Sequence, residues 1–493
     1  MNRPLALILS VVAFGPPATH AQPPPAKPPT AITLRPATEP RPALKYRLVP
    51  PRPALEPGNA AIFYHRALQL YLVKERSLEN AEPKKPGAAQ ARSLDEKVAH
   101  WTYGPIADIP REEARAVLGQ FASTLHEVDL GVKRLACDWE FDHRPEGIVS
   151  LVLPEIQGIR PIARLLSLQA RLAILDGDFD RAMDRVETGL TMARHVGRGP
   201  MVIQALVGVA ISFVMADCLQ ALIQGPGAPS LYWALANRPR PFSDMRDAFD
   251  AEHDVLEHEL PGLRELETGT WGQDQARRFA AELQRKLAEL GSGNDVVFPN
   301  NVPDPIRRLG IAAACAKVYP EARRALIAAG RAEAEADAMP VVQVAALHGY
   351  RDYRQANDDL FKGLDLPYWQ LAALPKAAGF ESVEAKLANP LRAMFSVLSS
   401  DLRPARLAQL RLDRQLDALQ CVEAVRLDAT AHGGKLPTSL EAIIATPCPL
   451  DPATGKPFIY EVAGDSATLD GPIPPTAPQH PTYGIRYLLK PAR

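Results

Sequence analysis

The chain has 493 residues, of which 46% are hydrophobic and 23% are charged, and its formal net charge at pH 7 is −1. This length predicts two or three domains, with ample apolar residues for a core. A near-neutral chain without a basic, aromatic-rich stretch has no field to attract nucleic acid or an anionic membrane surface, so we expect neither as a partner.

The N-terminus has the pattern of a secretory signal peptide over residues 1–21. Arg3 supplies the positive charge, residues 5–14 form the apolar stretch, and Ala18-Thr19-His20-Ala21 offers a cleavage site. The apolar stretch is too short to span a bilayer, although an uncleaved N-terminal anchor is an alternative. We therefore expect a periplasmic or secreted protein with no transmembrane segment after cleavage. The apolar run from Met201 to Met215 is preceded by Gly199-Pro200 and followed by Asp217, and we predict that it is a buried core helix.

Residues 22–57 contain twelve prolines. Proline lacks a backbone donor, so this density predicts an extended, polyproline-II-like linker rather than helix or sheet. The linker would separate the folded body from the export site, or lie across the surface of the body.

A helical period dominates residues 58–410, and β-branched alternation is scarce. We therefore predict an all-α body built as an irregular stack of helical hairpins. The segments with a helical pattern are Ala60–Lys74, Leu94–Thr102, Arg111–Leu130, 159–175, 182–196, Val202–Ile223, Leu231–Leu235, Ser243 to about Leu260, Asp274–Leu290, Pro305–Cys315, Glu321–Asp337, Val341–Gly363 and Ser382–Asn389.

The clearest local unit is the pair of apolar helical segments on either side of Asp176-Gly177-Asp178-Phe179-Asp180. Gly177 to Ala182 resembles the turn of a tetratricopeptide-type helical hairpin. No second copy follows at the family's period, so the resemblance implies one hairpin and not an array.

The richest cluster of metal-ligand residue types is His253-Asp254-Val255-Leu256-Glu257-His258. Zinc peptidase helices place two histidines four residues apart so that both face one metal ion. His253 and His258 are five apart and point about 140° away from each other on a helix. A solvated helix face is therefore the preferred interpretation, and zinc binding is the alternative.

Other known catalytic signatures are missing from the sequence. It has no G-x-S-x-G elbow, no P-loop and no G-x-G-x-x-G fingerprint, and we predict no catalytic residue, cofactor or metal. Cys137 has acidic neighbours, which would not activate a thiol. Trp233 and its aromatic neighbours could line a groove, although aromatic residues at helical spacing are more often core.

Residues 411–493 predict a separate α+β module. A long helical pattern ends at Gly433-Gly434, and a short helix is predicted to start at residues 437–441, where Thr438 and Glu441 have the spacing of a capping box. A turn pattern follows at Asp451-Pro452 and Thr454-Gly455, and residues 458–469 read as a β-hairpin. Residues 483–489 are a possible third strand.

This module resembles the globular part of type II secretion pseudopilins. The matching residues are Gly434, Pro437 and Leu440, followed by Asp451, Pro452, Pro457 and Phe458. The family's membrane helix and its acidic calcium loop have no match here, so neither fibre assembly nor calcium binding is implied. The whole layout is similar to an uncharacterised family of secreted proteins of planctomycete-type bacteria, which implies no particular activity.

The five cysteines are scattered and form no C-x-x-C pair. Cys421 and Cys448 could approach each other if the loop before Asp451 packs back on the preceding helix, and an oxidising compartment would permit a disulfide there.

The sequence as a whole favours a mainly α protein with a small C-terminal α+β module. We expect a non-catalytic, exported interaction scaffold with a protein partner. The alternatives are a hydrolase whose site is assembled from distant residues, or a binder of peptide or glycan. The candidate residues for such a surface are His253, Glu257, His258 and Trp233.

Overall fold

A computed structural model describes seven parts of the chain, and its contacts divide them into two compact units. The described residues are 29–81, 93–140, 154–290, 303–373, 390–397, 402–474 and 477–492. Described residues from Arg246 to Pro404 form the first unit, called here the helical unit, and the rest form the mixed unit. This division differs from the predicted boundaries at 57/58 and 410/411. The predicted signal peptide and the predicted helix Ser382–Asn389 lie outside the described residues.

The chain is mainly α-helical with a small sheet near its C-terminus, as the sequence predicts. Its helices within the described ranges, in chain order, are α1 Ala61–Ala81, α2 Leu94–Tyr103, α3 Arg111–Gln120, α4 Ala122–Gly131, α5 Pro154–Leu175, α6 Phe179–Gly197, α7 Val202–Leu222, α8 Tyr232–Ala236, α9 Arg246–His253, α10 Val255–Glu259, α11 Gln273–Leu290, α12 Asp304–Ala328, α13 Glu333–Ala338, α14 Val341–Phe361, α15 Tyr368–Leu371, α16 Pro390–Val397 and α17 Arg403–Ala431.

The hairpin of α5 and α6 forms where the sequence places it, and it packs against α7. Gly177 takes φ 74°, a conformation that glycine adopts without steric cost. The Asp178 carboxylate then accepts a hydrogen bond from the backbone N–H of Arg181 at 3.1 Å and caps α6. Where α6 packs against α7, a Cβ on Gly208 of α7 would lie 2.5 Å from the carbonyl oxygen of Ala193. Glycine therefore permits the close approach of these two helices.

α7 is, among the described residues, the one helix whose length and composition would allow it to cross a membrane. Of its most apolar window, 67% is buried within the protein. The burial of α7 against α5 and α6 is that of a core helix, which is the interpretation the sequence favours.

The predicted single helix over 111–130 is two helices in the structure. Phe121 has φ −106° and ψ 16°, which ends α3, and α4 begins at the next residue. The Phe121 side chain is 1% exposed and its ring stacks on Tyr71 of α1. Burial of this aromatic ring accompanies the change of direction between the two helices.

The principal sheet of the mixed unit contains four strands in the order β1-β8-β7-β6. The strands of the described chain are β1 Thr30–Leu34, β2 Glu56–Asn59, β3 Arg134–Ala136, β4 Leu450–Asp451, β5 Lys456–Pro457, β6 Ile459–Ala463, β7 Ser466–Gly471 and β8 Ile485–Pro491. The hairpin of β6 and β7 and the third strand β8 agree with the pattern of the C-terminal sequence.

The proline-rich segment differs from the predicted linker, because its described part is built into the mixed unit. β1 pairs in parallel with β8, with Ile32 opposite Leu489. Ile32 and Leu34 are buried on the same side of β1, and Leu48 is buried further along. Alternating apolar residues thus form a strand between the prolines, because the N–H groups of 30–34 remain available for pairing.

α17 ends as its glycines predict. Both Gly433 and Gly434 have positive φ, and the N–H of Gly434 donates to the carbonyl of Ala429 at 2.7 Å. The short helix that Thr438 and Glu441 suggest is not formed, and residues 438–442 make bends and turns.

The helical unit has its own core, formed largely by α11, α12, α14 and α16. The sequence predicts separate helices over Pro305–Cys315 and Glu321–Asp337, whereas α12 continues through Pro320 to Ala328. Proline removes one hydrogen bond from a helix interior. A continuous buried stripe on both sides of Pro320 offsets this loss, and its members are Ile311, Cys315, Val318, Ala322 and Leu326.

Candidate functional site

The predicted His–Glu–His cluster of the helical unit is not on one continuous helix. Asp254 has φ −102° and ψ 7° and separates α9 from α10, so the predicted helix from Ser243 to Leu260 is interrupted. The Asn357 side-chain amide donates to the carbonyl of His253 at 3.1 Å and replaces a helical partner at this end. Tertiary contact with α14 therefore sets the geometry of the cluster.

The side chains of this cluster bind protein partners. His253 Nε2 lies 2.8 Å from Asp358 Oδ1, and its Nδ1 lies 2.9 Å from Asp254 Oδ1. Glu257 accepts hydrogen bonds from Tyr350 and from Arg354. Within the described ranges, no three or more His, Cys, Asp or Glu side chains are grouped as a metal site would require. We interpret the cluster as a network that fixes α9 and α10 to α14.

Trp233, the candidate groove aromatic, is covered by the N-terminal segment. Its indole Nε1 donates to Glu39 Oε1 at 3.0 Å, and its ring meets Tyr232 edge-on with centroids 4.9 Å apart. Trp233 is thus a half-buried contact that fixes residues near Glu39 to α8.

The two cysteines singled out by the sequence are brought together. Cys421 is fully buried on α17. Its sulfur lies 3.8 Å from the carbonyl oxygen of Pro449. The loop before Asp451 therefore packs back on the helix as the sequence suggests.

A groove of about 440 Å³ lies in the mixed unit between α3, α4 and the turn that joins α5 to α6. This volume is within the range of small-ligand and peptide side-chain sites. Its floor is apolar, and its rim is polar. The lining residues are Arg115, Leu118, Gly119, Ala122, Leu125, His126, Asp129, Gln169, Leu172, Ala173, Asp176, Asp178 and Arg181.

Helical spacing accounts for the floor. Leu118 and Leu125 come from α3 and α4 on either side of the break at Phe121, and Leu172 and Ala173 come from the last turn of α5. Leu125, Leu172 and Ala173 are each at most 5% exposed. Gly119 leaves the groove open at its position on α3, because nothing lies within 4 Å of the position its Cβ would occupy.

The acidic side chains of the rim are held by protein partners. Arg115 Nη2 binds both carboxylate oxygens of Asp176, at 2.8 and 2.9 Å, and the hydrogen bond to Asp176 raises the pKa of Arg115. Asp129 pairs with Arg185 at 2.8 Å, and Asp178 caps α6. These carboxylates therefore fix α3 and α4 to the hairpin and do not face one another as a catalytic pair would.

Three polar side chains of the groove have groups without a hydrogen-bond partner among the described residues. Among the residues that the structure describes, none is hydrogen-bonded to the side chains of Arg181 and His126, which are both exposed. The Gln169 Oε1 atom is buried without a hydrogen-bond donor. A buried acceptor in this state costs about 1–3 kcal/mol. The groove thus combines an apolar floor, a cation at the rim and an acceptor that lacks a donor.

The sequence patterns do not mark this groove as a binding site. Its residues come from four helices and from the turn that joins α5 to α6, and each of those on the helices is an ordinary helix residue in isolation. The Asp176-Gly177-Asp178 turn was the one available signal, because it shows where α5 ends and which polar residues surround that point.

No protein-family model, no curated protein and no solved structure matches the chain.

Proposed function

We propose that this protein is a non-catalytic, exported interaction scaffold, and that the groove between α3, α4 and the α5–α6 turn binds an extended segment of a protein partner. The observation that carries the proposal is an open apolar floor beside the Arg181 guanidinium and the Gln169 Oε1 atom, neither of which has a hydrogen-bond partner among the described residues. A peptide supplies matching chemistry for all three features.

Each part of the groove favours one part of a peptide. An apolar side chain would cover Leu118, Leu125 and Leu172 and gain roughly 25 cal/mol for each Å² removed from water. An acidic side chain or a terminal carboxylate would pair with Arg181. A backbone N–H would supply a donor to Gln169 after a small rotation of its amide. We therefore infer a partner segment in which an apolar residue lies close to an acidic one.

The arrangement of carboxylates supports binding over hydrolysis. A hydrolytic site built on a pair of carboxylates would need those carboxylates free near the ligand, whereas Asp176, Asp129 and Asp178 already bind Arg115, Arg185 and a helix N-terminus.

The proposed cellular location of the protein and its proposed family resemblances rest on the sequence. The signal-peptide pattern of residues 1–21 supports export to the periplasm or beyond, with a place in the envelope for such a scaffold. The same proposal includes three resemblances. The C-terminal module resembles pseudopilins, the α5–α6 hairpin resembles a tetratricopeptide unit, and the layout resembles planctomycete secreted proteins.

The experiment is a selection of phage-displayed random peptides on the immobilised full chain, followed by affinity measurement of the enriched peptides in solution. Gly119→Trp places an indole in the open side of the groove. We expect it to weaken binding by at least about tenfold. Gly272→Trp is the matched control, because Gly272 also has nothing within 4 Å of its Cβ position and lies in the helical unit.

A second variant tests the charge at the rim. Arg181→Gln should weaken the binding of acidic peptides by about threefold to tenfold and reduce the salt dependence of that binding. Enriched peptides that bind Gly119→Trp as tightly as the unaltered chain would overturn the assignment of the groove, as would a selection that enriches no peptide.

A further inference from the structure

Cys421 and Cys448 lie near each other at the junction of α17 with the C-terminal strands. Cys421 is 0% exposed, whereas Cys448 is half-buried. The Cys421 sulfur lies 3.8 Å from the carbonyl oxygen of Pro449, the residue that follows Cys448. Burial and then the neighbouring Cys448 raise the pKa of the Cys421 thiol, so Cys421 is a poor first nucleophile. Cys448 is the thiol that an external oxidant can reach.

Both segments that carry these thiols are fixed by other contacts. The Tyr232 hydroxyl donates to the carbonyl oxygen of Pro447 at 2.8 Å, immediately before Cys448. Arg414 of α17 binds the Asp451 carboxylate at 2.8 and 2.6 Å, three residues after Cys448. The segment that carries Cys448 is therefore held by α8 on one side along the chain and by α17 on the other. Bond formation between two thiols whose chain segments already pack together needs little movement of the backbone.

We propose that Cys421 and Cys448 form a disulfide bond in the mature protein. In this reaction, an oxidised thiol–disulfide oxidoreductase supplies the oxidising equivalent. The Cys448 thiolate attacks one sulfur of the enzyme's disulfide and forms a mixed disulfide. The Cys421 thiolate then displaces the enzyme's thiolate. Overall, the two cysteine thiols lose two protons and two electrons, and the enzyme's disulfide is reduced to a dithiol.

The bond would fasten the loop that leads to β4 onto the helix beneath it. This loop carries Asp451, whose carboxylate lies in the buried pair with Arg414. A crosslink that closes a loop of this kind restricts the unfolded chain and thereby raises the stability of the folded one. The persistence of the bond rests on the proposed export, since cytosolic thiols are kept reduced.

The test begins with purified full chain, equilibrated with oxidised and reduced glutathione and then treated with an alkylating agent. Peptide mapping without reductant should recover one linked peptide pair containing Cys421 and Cys448, lighter by two hydrogen atoms than the free thiols. Cys137, Cys218 and Cys315 should be recovered alkylated. The oxidised protein should unfold at a temperature higher by about 5 °C or more than the reduced protein.

Cys448→Ser should abolish both the linked peptide and the thermal shift, whereas Cys137→Ser should leave both unchanged. Recovery of Cys421 and Cys448 as free thiols at equilibrium with oxidised glutathione would overturn the proposal, as would linkage of Cys448 to Cys137. The same mapping on protein isolated from its native cells separates the two proposals. A pair that oxidises in the purified chain and is reduced in the cell would contradict the proposed export, and with it the presence of the bond in the mature protein.

Discussion

Arg414 and Asp451 form a bidentate ion pair inside the mixed unit, with Nε 2.8 Å from Oδ1 and Nη2 2.6 Å from Oδ2. Both side chains are 1% exposed. The same guanidinium donates to the backbone carbonyls of Tyr483 and Pro472, at 2.8 and 2.6 Å. One side chain of α17 thus binds the turn before β5, the segment after β7 and the segment before β8. The Asp-Pro turn of the sequence is an anchor point of the module.

Loss of the arginine should destabilise the mixed unit strongly. In Arg414→Met, the Asp451 carboxylate stays buried without its cation, and two carbonyls lose their donor. Removal of one partner from a buried pair costs about 3–5 kcal/mol. We expect a loss of this size in the free energy of unfolding measured by urea denaturation followed by circular dichroism.

The control for this variant is Arg486→Met on β8. Arg486 lies 3.4 Å from Asp470 and its side chain is 52% exposed, so its loss should cost under about 1 kcal/mol. The double variant Arg414→Met/Asp451→Leu should recover part of the stability lost in the single variant, because no charge is then left buried. Equal losses of unfolding free energy in Arg414→Met and Arg486→Met would show that the buried ion pair stabilises the protein no more than the exposed one.

Asp413 should make the protein less stable as the pH rises towards neutrality. Burial raises the pKa of this carboxyl group to about 6 from its usual 3.8, although its oxygen accepts a hydrogen bond from the backbone N–H of Phe242 at 2.8 Å. The folded state therefore holds the proton more tightly than the unfolded state. Stability is highest below the unfolded pKa and falls as the pH rises through the folded value, by about 2 kcal/mol between about pH 4.5 and pH 7.

Asp413→Asn removes this titration. On acidification from about pH 7 to about pH 4.5, the variant should lose about 2 kcal/mol more stability than the unaltered chain loses. Urea denaturation at both pH values measures the difference. Parallel curves for the two proteins would mean that Asp413 keeps an ordinary pKa in the folded state.

His195 should lower the stability of the protein as the pH falls over the same pH range. Burial, followed by the charges of Arg198 and Arg194, lowers its pKa to about 4 from 6.5. Its Nδ1 lies 2.8 Å from the Tyr64 hydroxyl, which suits a neutral ring. The unfolded state takes up the proton first as the pH falls, so this group costs about 2 kcal/mol of stability between about pH 7 and pH 4.5. His195→Gln should therefore lose less stability on acidification than the unaltered chain loses. A larger loss of stability would contradict the lowered pKa of His195.

The same substitution at two glycines should have opposite effects. A Cβ at position 208 would lie 2.5 Å from the Ala193 carbonyl and 2.8 Å from the Gly197 Cα, so Gly208→Ala should cost about 1–3 kcal/mol. A Cβ at position 119 would meet nothing within 4 Å, so Gly119→Ala should stabilise α3 by up to about 1 kcal/mol. Thermal denaturation of the two variants measures both effects, and a stable Gly208→Ala protein would contradict the close approach of α6 and α7.

The helices that the sequence predicted well are those whose signals are local. The apolar spacing of 159–196 and the Asp176-Gly177-Asp178 turn specify α5, α6 and the connection between them, because capping and helix periodicity act within a few residues. The positive φ of Gly433 and Gly434 at the end of α17 is local for the same reason. The hairpin of β6 and β7 likewise follows from alternation and a short turn.

The interruptions within helices depended on contacts with other helices. Phe121 and Asp254 interrupt helical patterns that looked continuous, while α12 runs through Pro320 and across the gap predicted between Cys315 and Glu321. In each case the local preference is worth a few kcal/mol at most, and the burial of a ring, a side-chain amide or an apolar stripe is of comparable size.

By itself, the sequence determined the helical class, the small C-terminal sheet and the turns, since these follow from periodicity and from the backbone preferences of glycine and proline. Only the tertiary structure decided that Ile32 pairs with Leu489 across nearly the whole chain, that Arg414 meets Asp451, and that four helices enclose the groove. Such contacts join residues distant in sequence. They are selected by the burial of shared surface and by the pairing of buried charges, which no short stretch of sequence displays.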